Sequence, residues 1–532
     1  MGMKVLGVHK LLFVQVAASC RRTFSCAGKA YQSPARTRFA PSPTGSLHLG
    51  SLRTALYNYL WAKRTGGQFI LRVEDTDQNR LSEGAERSLY DNLNWAGLDL
   101  DESPEKGGTH APYRQSERLP IYHEHIKTLL DKGAAYRCFC SSERLAGLKD
   151  SARKHGQSGT YDRQCLAITQ EESDSRAREN EPHIIRLRSP QSVPIVEDVV
   201  HGTVNFSKSK QGITFDDSIL IKSDGFPTYH FANVVDDHLM AITHVIRGEE
   251  WLPSTPKHLA IYDAFGWSPP QFAHVPLLAS VGGAKLSKRH GDTTVEAYRA
   301  KGYLPEAMLN YLALMGWNAH IAVGESEVMS LEQMAERFEL EQITKGATIV
   351  TSEKLQFLQK QHYHALSETE DGLKRLIEQA QAELQKTFGK TYDADYVGRV
   401  IVALRDRVVD PLGLPQLGIY FFTEPDYSSD EARKFVTKFA KKGTIPLSEL
   451  LQNVHTKLSG LDERHWTGTE FNLVIERLFH ETDFGTPNGL VMGAVRYAIA
   501  GGLSGAGVKQ IMEIVGREKT LARLATARES LE

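Results

Sequence analysis

Between Arg38 and Arg80 the chain reads RFAPSPTGSLHLGSLRTALYNYLWAKRTGGQFILRVEDTDQNR, and few folds accommodate that order of residues. Phe39 and Ala40 end a short apolar run, which Pro41-Ser42-Pro43-Thr44-Gly45 must break because two prolines and a glycine cannot continue a ladder. Leu49, Leu52, Ala55, Leu56, Tyr59 and Leu60 then recur at intervals of three and four, which predicts a helix with one apolar face. Gly66-Gly67 closes it, and Phe69-Ile70-Leu71-Arg72-Val73 reads as a second buried strand ending in Glu74-Asp75-Thr76-Asp77. Strand, turn and helix N-terminus together form an anion site, because unpaired backbone N–H groups and the positive helix end converge there. His48 can donate to a phosphate oxygen at that point, and Gly50 lets a nucleotide approach the backbone. A lone His-x-Gly is more often a surface histidine beside a packing glycine, so a second signal has to decide.

At 532 residues the chain calls for roughly three to four domains. With 63 basic and 65 acidic residues it is nearly neutral, so a polyanionic partner would have to be met by local patches. Five cysteines exclude a disulfide scaffold and point to a reducing compartment. No Asp or Glu precedes Glu74, whereas Lys4, Lys10, Arg21, Arg22, Lys29 and Arg36 are basic. The apolar run Leu11–Ser19 is far shorter than the roughly 20 residues of a membrane helix. The expectation is a mitochondrial transit peptide over 1–33, no membrane segment, and the mitochondrial matrix as destination.

Beyond the opening unit, Glu83–Trp95 and Tyr122–Leu130 have helical periodicity, and alternating strands and helices indicate a parallel sheet. The stretch from Cys138-Phe139-Cys140 to about Pro182 changes to polar and charged, as an inserted module would. Cys138, Cys140 and Cys165 are three thiols where a closed zinc site wants four ligands. Reduced structural thiols are therefore expected, with no metal ligand assigned. Ile184–Pro190, Val193–Val199 and Ile213–Ile221 read as short strands continuing the insertion. Asp224–His238 then runs from a turn into a helix that puts Tyr229 and Asn233 on one face. His244–Trp251 is a strand that delivers Arg247 at its end, as the earlier strand delivers Glu74. A buried arginine there would fork onto a carboxylate ligand.

The second signal is Lys285-Leu286-Ser287-Lys288-Arg289 after Gly282-Gly283, because mobile lysines suit a triphosphate whose leaving pyrophosphate gains charge. Together with His48-Leu49-Gly50-Ser51, this pair resembles the HIGH and KMSKS motifs of class I aminoacyl-tRNA synthetases. Arg38–Gly45, Arg72–Asp77, Asp224–His230 and Arg247–Trp251 further resemble glutamyl-tRNA synthetases, as do Val495–Gly501 and Thr520–Leu524. The similarity spans nearly everything after about Ala35, and with the basic leader the chain resembles the mitochondrial members.

That resemblance implies a Rossmann-like α/β catalytic domain with an inserted acceptor-binding module, followed by a mostly α-helical anticodon-binding half. It divides the chain into catalytic segments at 34–135 and 223–290, an acceptor-end module at 136–222, a stem-contact domain at 291–365 and an anticodon-binding domain at 366–532. Arg38, Ala40, Ser42, Glu74, Tyr229, Asn233 and Arg247 match the family's glutamate site. His48, Gly50, Glu250, Lys285, Leu286, Ser287, Lys288 and Arg289 match its ATP site, with His48, Lys285 and Lys288 cast as catalytic. ATP with Mg2+, L-glutamate and tRNA(Glu) are the implied ligands, charging of tRNA(Gln) as well is left open by the sequence, and a monomer is expected. Some family members hold zinc through a Cys-x-Cys pair and a later Cys-x-His or Cys-x-Cys, but Ala167 occupies the last ligand position here. Helical patterns over 306–315, 331–338, 373–388, 396–408 and 431–441 agree with the helical rather than the β-barrel type of anticodon module. Lys434, Lys438, Lys441 and Lys442 make a basic cluster that reads as a solvated helix face or an RNA contact.

Overall fold

The computed structural model describes residues 33–154, 161–208, 216–279, 294–408, 411–471, 473–474 and 488–532. The basic leader and the 285–289 motif fall outside these residues. The opening stretch folds as its pattern predicts. Strand β1 (Arg36–Phe39) is broken at the prolines, a helix spans Leu49–Arg64, and β2 (Gln68–Leu71) returns parallel to β1 in the register Arg36 with Gln68 through Phe39 with Leu71.

The chain then passes through helices Ala85–Trp95 and Leu119–Asp131 before reaching β3 (Ala135–Cys138) and β4 (Ile184–Leu187). It continues into β5 (Val196–Asp198), β6 (Gly202–Val204) and β7 (Ile219–Ile221), and returns through helix Tyr229–Leu239 to β8 (His244–Gly248). Helix Thr255–Phe265 leads to β9 (Gln271–Val275). Six strands form the main sheet in the order β2-β1-β8-β9-β5-β6, parallel except for the β5–β6 edge. Because the chain leaves β1 toward β2 and comes back on β1's other side as β8, strand order reverses between them. The ligand crevice of an open α/β sheet lies at that switch point.

β3, β4 and β7 form a separate three-stranded antiparallel sheet. The stretch expected as insertion does not all leave the main sheet, however: Val196–Asp198 lies parallel to β9, with Asp198 opposite Phe272. Buried Asp198 makes the joint, accepting from the backbone N–H groups of Val200 at 3.0 Å and His201 at 2.9 Å while its other oxygen meets the His274 ring at 2.6 Å. A three-residue polar and apolar mixture carries no sequence mark of which sheet it will join.

The apolar face of helix Leu49–Arg64 is buried twice over. Leu52, Leu56 and Leu60 pack on the sheet and, in the same cluster, against Met308, Leu312 and Phe338 from the segment that follows. Phe231, Val235, Ile261 and Tyr122 cover the sheet's other face. The C-terminal half is helical throughout its described residues, with a core of its own that includes Leu376, Ile401, Leu404, Leu451, Val495 and Ile511. Helices Pro305–Leu314, Leu331–Arg337, Glu370–Phe388, Ala394–Leu404 and Asp430–Lys442 answer the periodic stretches of the sequence.

Helix Tyr229–Leu239 is also held to the sheet by charge. Asp237 receives Arg38 through Nε at 3.0 Å and Nη2 at 3.3 Å, and Arg72 through Nη1 at 2.7 Å. Its neighbour Asp236 receives Arg118 Nε at 2.7 Å, Gln115 at 2.8 Å and the Tyr122 hydroxyl at 2.8 Å. Burial alone would raise the Asp237 carboxyl, but Arg38 and Arg72 hold it below the usual carboxylate range. Its contribution to stability is therefore present at neutral pH and lost as pH falls through that depressed value. Removing one member leaves buried charges without partners, so Asp237→Ala is expected to cost about 3–5 kcal/mol in a urea titration at pH 7.

Candidate active site

A cleft of about 1010 Å³ opens at the carboxyl ends of β1 and β8. Its lining includes Arg38, Ala40, Ser42, His48, Gly50, Glu74, Tyr229, Asn233, Arg247 and Glu250, so residues read from four separated motifs meet in one place. Lys285, Leu286, Ser287, Lys288 and Arg289 lie outside the described residues. One side of the cleft is a helix end and the other is a set of buried charges.

His48 is the N-cap of the first helix, extended at φ −89° and ψ 156°, with no side-chain cap over the first turn and no acidic residue in it. The first-turn N–H groups are thus available to an anion, and no carboxylate competes for the positive end. A Cβ built on Gly50 meets nothing within 4 Å, so the glycine is not demanded by packing against the protein. The Glu250 carboxylate folds back over Gly248, where any side chain would collide with it.

On the other side, the charges separate into paired and unpaired. Arg38, Arg72 and Arg118 are all matched to Asp236, Asp237 or Glu74. Glu74 accepts from Arg72 at 3.1 Å and from the Asn233 amide at 3.2 Å. Burial raises its carboxyl above the ordinary range, against the pull of Arg72 and Arg38. Arg247 differs from these three guanidiniums, and resembles buried Arg53 on the cleft wall, whose N–H groups go to the Met315 and Pro276 carbonyls. Arg247 is only 5% exposed, yet among the described residues no carboxylate lies within ion-pair distance of it. Its N–H groups point instead at neutral acceptors: His274 Nε2 at 3.1 Å, the Tyr229 hydroxyl at 3.2 Å, His258 Nδ1 at 3.3 Å and Thr255 Oγ1 at 3.0 Å. A buried cation kept without an internal anion is a receptor for an anionic ligand. With Glu74 across the cleft as the receptor for an ammonium, the pocket suits a small zwitterion carrying an extra carboxylate.

Sequence reading missed the supports of this arrangement: Arg72, Asp236 and Asp237 beneath it, and His230, His258, His274 and Asp198 behind Arg247. The adjacent aspartates on an apolar helix were the one visible mark. Burial, with Lys257 and Arg247 nearby, pushes His230 down to about 4. Burial also lowers His274 to about 4, despite Asp198, and drives His258 well below its ordinary value.

Two features lie apart from the cleft. The sulfurs of Cys138, Cys140 and Cys165 sit within 4.8 Å of one another. The Tyr161 hydroxyl lies 3.3 Å from Cys138 Sγ, which donates to it, and 3.4 Å from Cys140 Sγ. Three thiols are one ligand short of a closed tetrahedral zinc site, and among the described residues their contacts with the Tyr161 hydroxyl are those of reduced thiols. In the C-terminal half, Arg433, Lys434, Lys438, Lys441 and Lys442 line a shallow groove on helix Asp430–Lys442.

Residues 34–357 match the family model described as tRNA synthetases class I (E and Q), catalytic domain, and residues 375–528 match that of an anticodon binding domain. The chain is 43% identical over 510 residues to a glutamate--tRNA ligase of Chloroherpeton thalassium, covering 93% of this chain and 98% of that one. It is 41% identical over 507 residues to the Saccharomyces cerevisiae protein named glutamate--tRNA ligase, mitochondrial, covering 94% and 91%. The crystal structure of a glutamate tRNA ligase from Elizabethkingia meningosepticum in complex with its amino acid superposes with a TM-score of 0.81 at 34% identity, covering 94% of this chain and all of that one.

The depressed histidines make stability depend on pH with a defined sign. His230 and His274 titrate near 6.5 when unfolded and near 4 when folded, so the unfolded chain binds more protons between those values. Thermal melts are expected to show stability fully present above about pH 6.5 and falling progressively toward pH 4.

Proposed function

This chain belongs to the glutamate--tRNA ligases, class I aminoacyl-tRNA synthetases, and on that premise we propose the residues that carry its two steps. The observation that supports the assignment most directly is the buried Arg247 guanidinium without an anionic partner, facing Glu74 across a cleft that ends at an uncapped helix. Arg247, with the Tyr229 hydroxyl beside it, takes the side-chain carboxylate of L-glutamate, and Glu74 takes the α-ammonium. Arg38, Ala40, Ser42 and Asn233 complete the amino-acid site. ATP lies along the helix end, with His48 and the first-turn N–H groups on its phosphates, Gly50 leaving it room, and Glu250 completing the nucleotide side.

In the first step an α-carboxylate oxygen of glutamate attacks the α-phosphorus of ATP, and the bond to pyrophosphate breaks to give glutamyl-adenylate. In the second, a terminal ribose hydroxyl of tRNA attacks the acyl carbon and AMP leaves with the electron pair. No protein nucleophile takes part. Catalysis is positioning and stabilisation of charge developing on the phosphates, with His48, Lys285 and Lys288 as the donors. Leu286, Ser287 and Arg289 complete that motif. Mg2+ accompanies ATP and neutralises part of its charge. The family resemblance further implies that adenylate formation requires tRNA.

The module built on β3, β4 and β7 is assigned to the acceptor end of tRNA, and the helical segment 291–365 to its stem. The 366–532 half, including the basic groove on helix Asp430–Lys442, is assigned to the anticodon arm. The acid-free leader and the likeness to the yeast mitochondrial enzyme support a matrix location for residues 34–532 acting as a monomer, with tRNA(Gln) as a second acceptor alongside tRNA(Glu). The three thiols are read as reduced structural groups.

Charging assays on separated mitochondrial tRNA(Glu) and tRNA(Gln) with glutamate, glutamine and aspartate are expected to show glutamate alone transferred to both, and no transfer of glutamate would sink the reading. Gly50→Ala separates nucleotide contact from folding: melting temperature should hold or rise slightly, since alanine favours a helix, while KM for ATP rises by roughly tenfold or more from the steric conflict. An unchanged KM for ATP would remove Gly50 from the nucleotide site.

A further inference from the structure

Arg247 is held by an arrangement that reaches outside the catalytic segments recognised in the sequence. His274 lies between two partners: Nδ1 is 2.6 Å from Asp198 Oδ2, and Nε2 is 3.1 Å from Arg247 Nε and 3.2 Å from the Thr255 hydroxyl. An ionised Asp198 can only accept, so the imidazole hydrogen sits on Nδ1 and a lone pair is left on Nε2, facing the guanidinium N–H. His258 presents Nδ1 to Arg247 in the same sense and passes its own Nε2 hydrogen to His230 Nδ1 at 3.0 Å. The guanidinium is thereby fixed in its plane by neutral acceptors, and its charge is not cancelled.

We propose that Asp198 and His274 are positioning residues for Arg247: Asp198 selects the imidazole tautomer that accepts from Arg247 Nε, orienting the guanidinium for the substrate's side-chain carboxylate while leaving its charge uncompensated. This rests on the glutamate reading of the cleft. Burial of His274 on β9, together with its low affinity for a proton, keeps the ring neutral at physiological pH. The alternative of a direct Asp198–Arg247 pair would neutralise the receptor; a neutral ring placed between the two avoids that.

Asp198→Asn tests the tautomer without emptying the site. Oδ1 accepts the backbone N–H groups of Val200 and His201, so an asparagine oxygen must stay there, and the amide NH2 must take the place of Oδ2 facing His274 Nδ1. The imidazole hydrogen is then forced to Nε2, against the Arg247 N–H. The expected result is a KM for glutamate raised about tenfold or more, with KM for ATP and kcat within about twofold and the protein still folded, its melting temperature lowered by the opposed buried N–H groups. A wild-type KM for glutamate, or KM for ATP and kcat impaired along with it, overturns the proposal. Nitrogen-15 spectra of histidine-labelled wild-type protein give a second readout that needs no variant: a hydrogen on Nδ1 of His274 is expected, and one on Nε2 overturns the proposal. A wild-type protein that charges no glutamate would defeat the substrate reading, whereas the tautomer of His274 would still report on the positioning pair.

Discussion

The buried Arg72–Asp237 ion pair, between the end of β2 and the helix packed over it, is the interaction on which the site depends. Arg72 leaves β2 completely buried, and a buried guanidinium is tolerable only with anions around it. Asp237 lies against it at 2.7 Å, Glu74 at 3.1 Å and Asp236 at 3.8 Å. That requirement draws the helix carrying Tyr229 and Asn233 onto the ends of β1 and β2, and it sets Glu74 at the cleft floor. Arg38 shares Asp237, so β1, β2 and the helix are tied at a single carboxylate. The placing of Glu74, Tyr229 and Asn233 on one side of the cleft is therefore a by-product of balancing buried charge.

Against this balanced background, Arg247 stands out. Three guanidiniums and three carboxylates match beneath the cleft, whereas Arg247 is ringed by a hydroxyl pair and imidazoles. The difference lies in the anion supplied: the three balanced arginines are matched within the fold, whereas Arg247, like Arg53 on the cleft wall, has no carboxylate partner among the described residues. At the other side of the cleft, the helix that begins after His48 has no side-chain cap, so its first-turn N–H groups are donors suited to an anion.

The polypeptide between β3 and β7 behaves as two pieces rather than one. Part forms its own antiparallel sheet with the thiol and Tyr161 cluster, while Val196–Asp198 and Gly202–Val204 return to lengthen the catalytic sheet. An insertion that comes back to the parent sheet has its orientation restricted at both ends. It also brings Asp198 behind Arg247 through His274, so the module and the cleft are mechanically joined. On the far side, the shared core of Leu52, Leu56, Met308 and Phe338 joins the first helix to the segment leading toward the C-terminal half.

The strand, proline break, helix and second strand between Arg36 and Leu71 were legible from sequence because each is set by local chemistry, namely ring constraints, glycine freedom and apolar period. So were the helices of the C-terminal half; the meeting of Glu74 and Arg247 followed from their places at strand ends, while Tyr229 and Asn233 joined them through the family resemblance. Helix Leu447–Ser459 was legible too, with Leu447, Leu450, Leu451, Val454 and Leu458 in period, but was not read. What the sequence could not determine is which charges match. Arg38 meets Asp237 across 199 positions and His274 meets Asp198 across 76, and no local pattern encodes a pairing between residues so far apart. The sequence by itself determined the elements and the chemistry at their ends; only the tertiary structure decided that three buried arginines would be matched by carboxylates and that Arg247 would meet none among the described residues, because burial makes every charge answer to whatever the fold brings beside it.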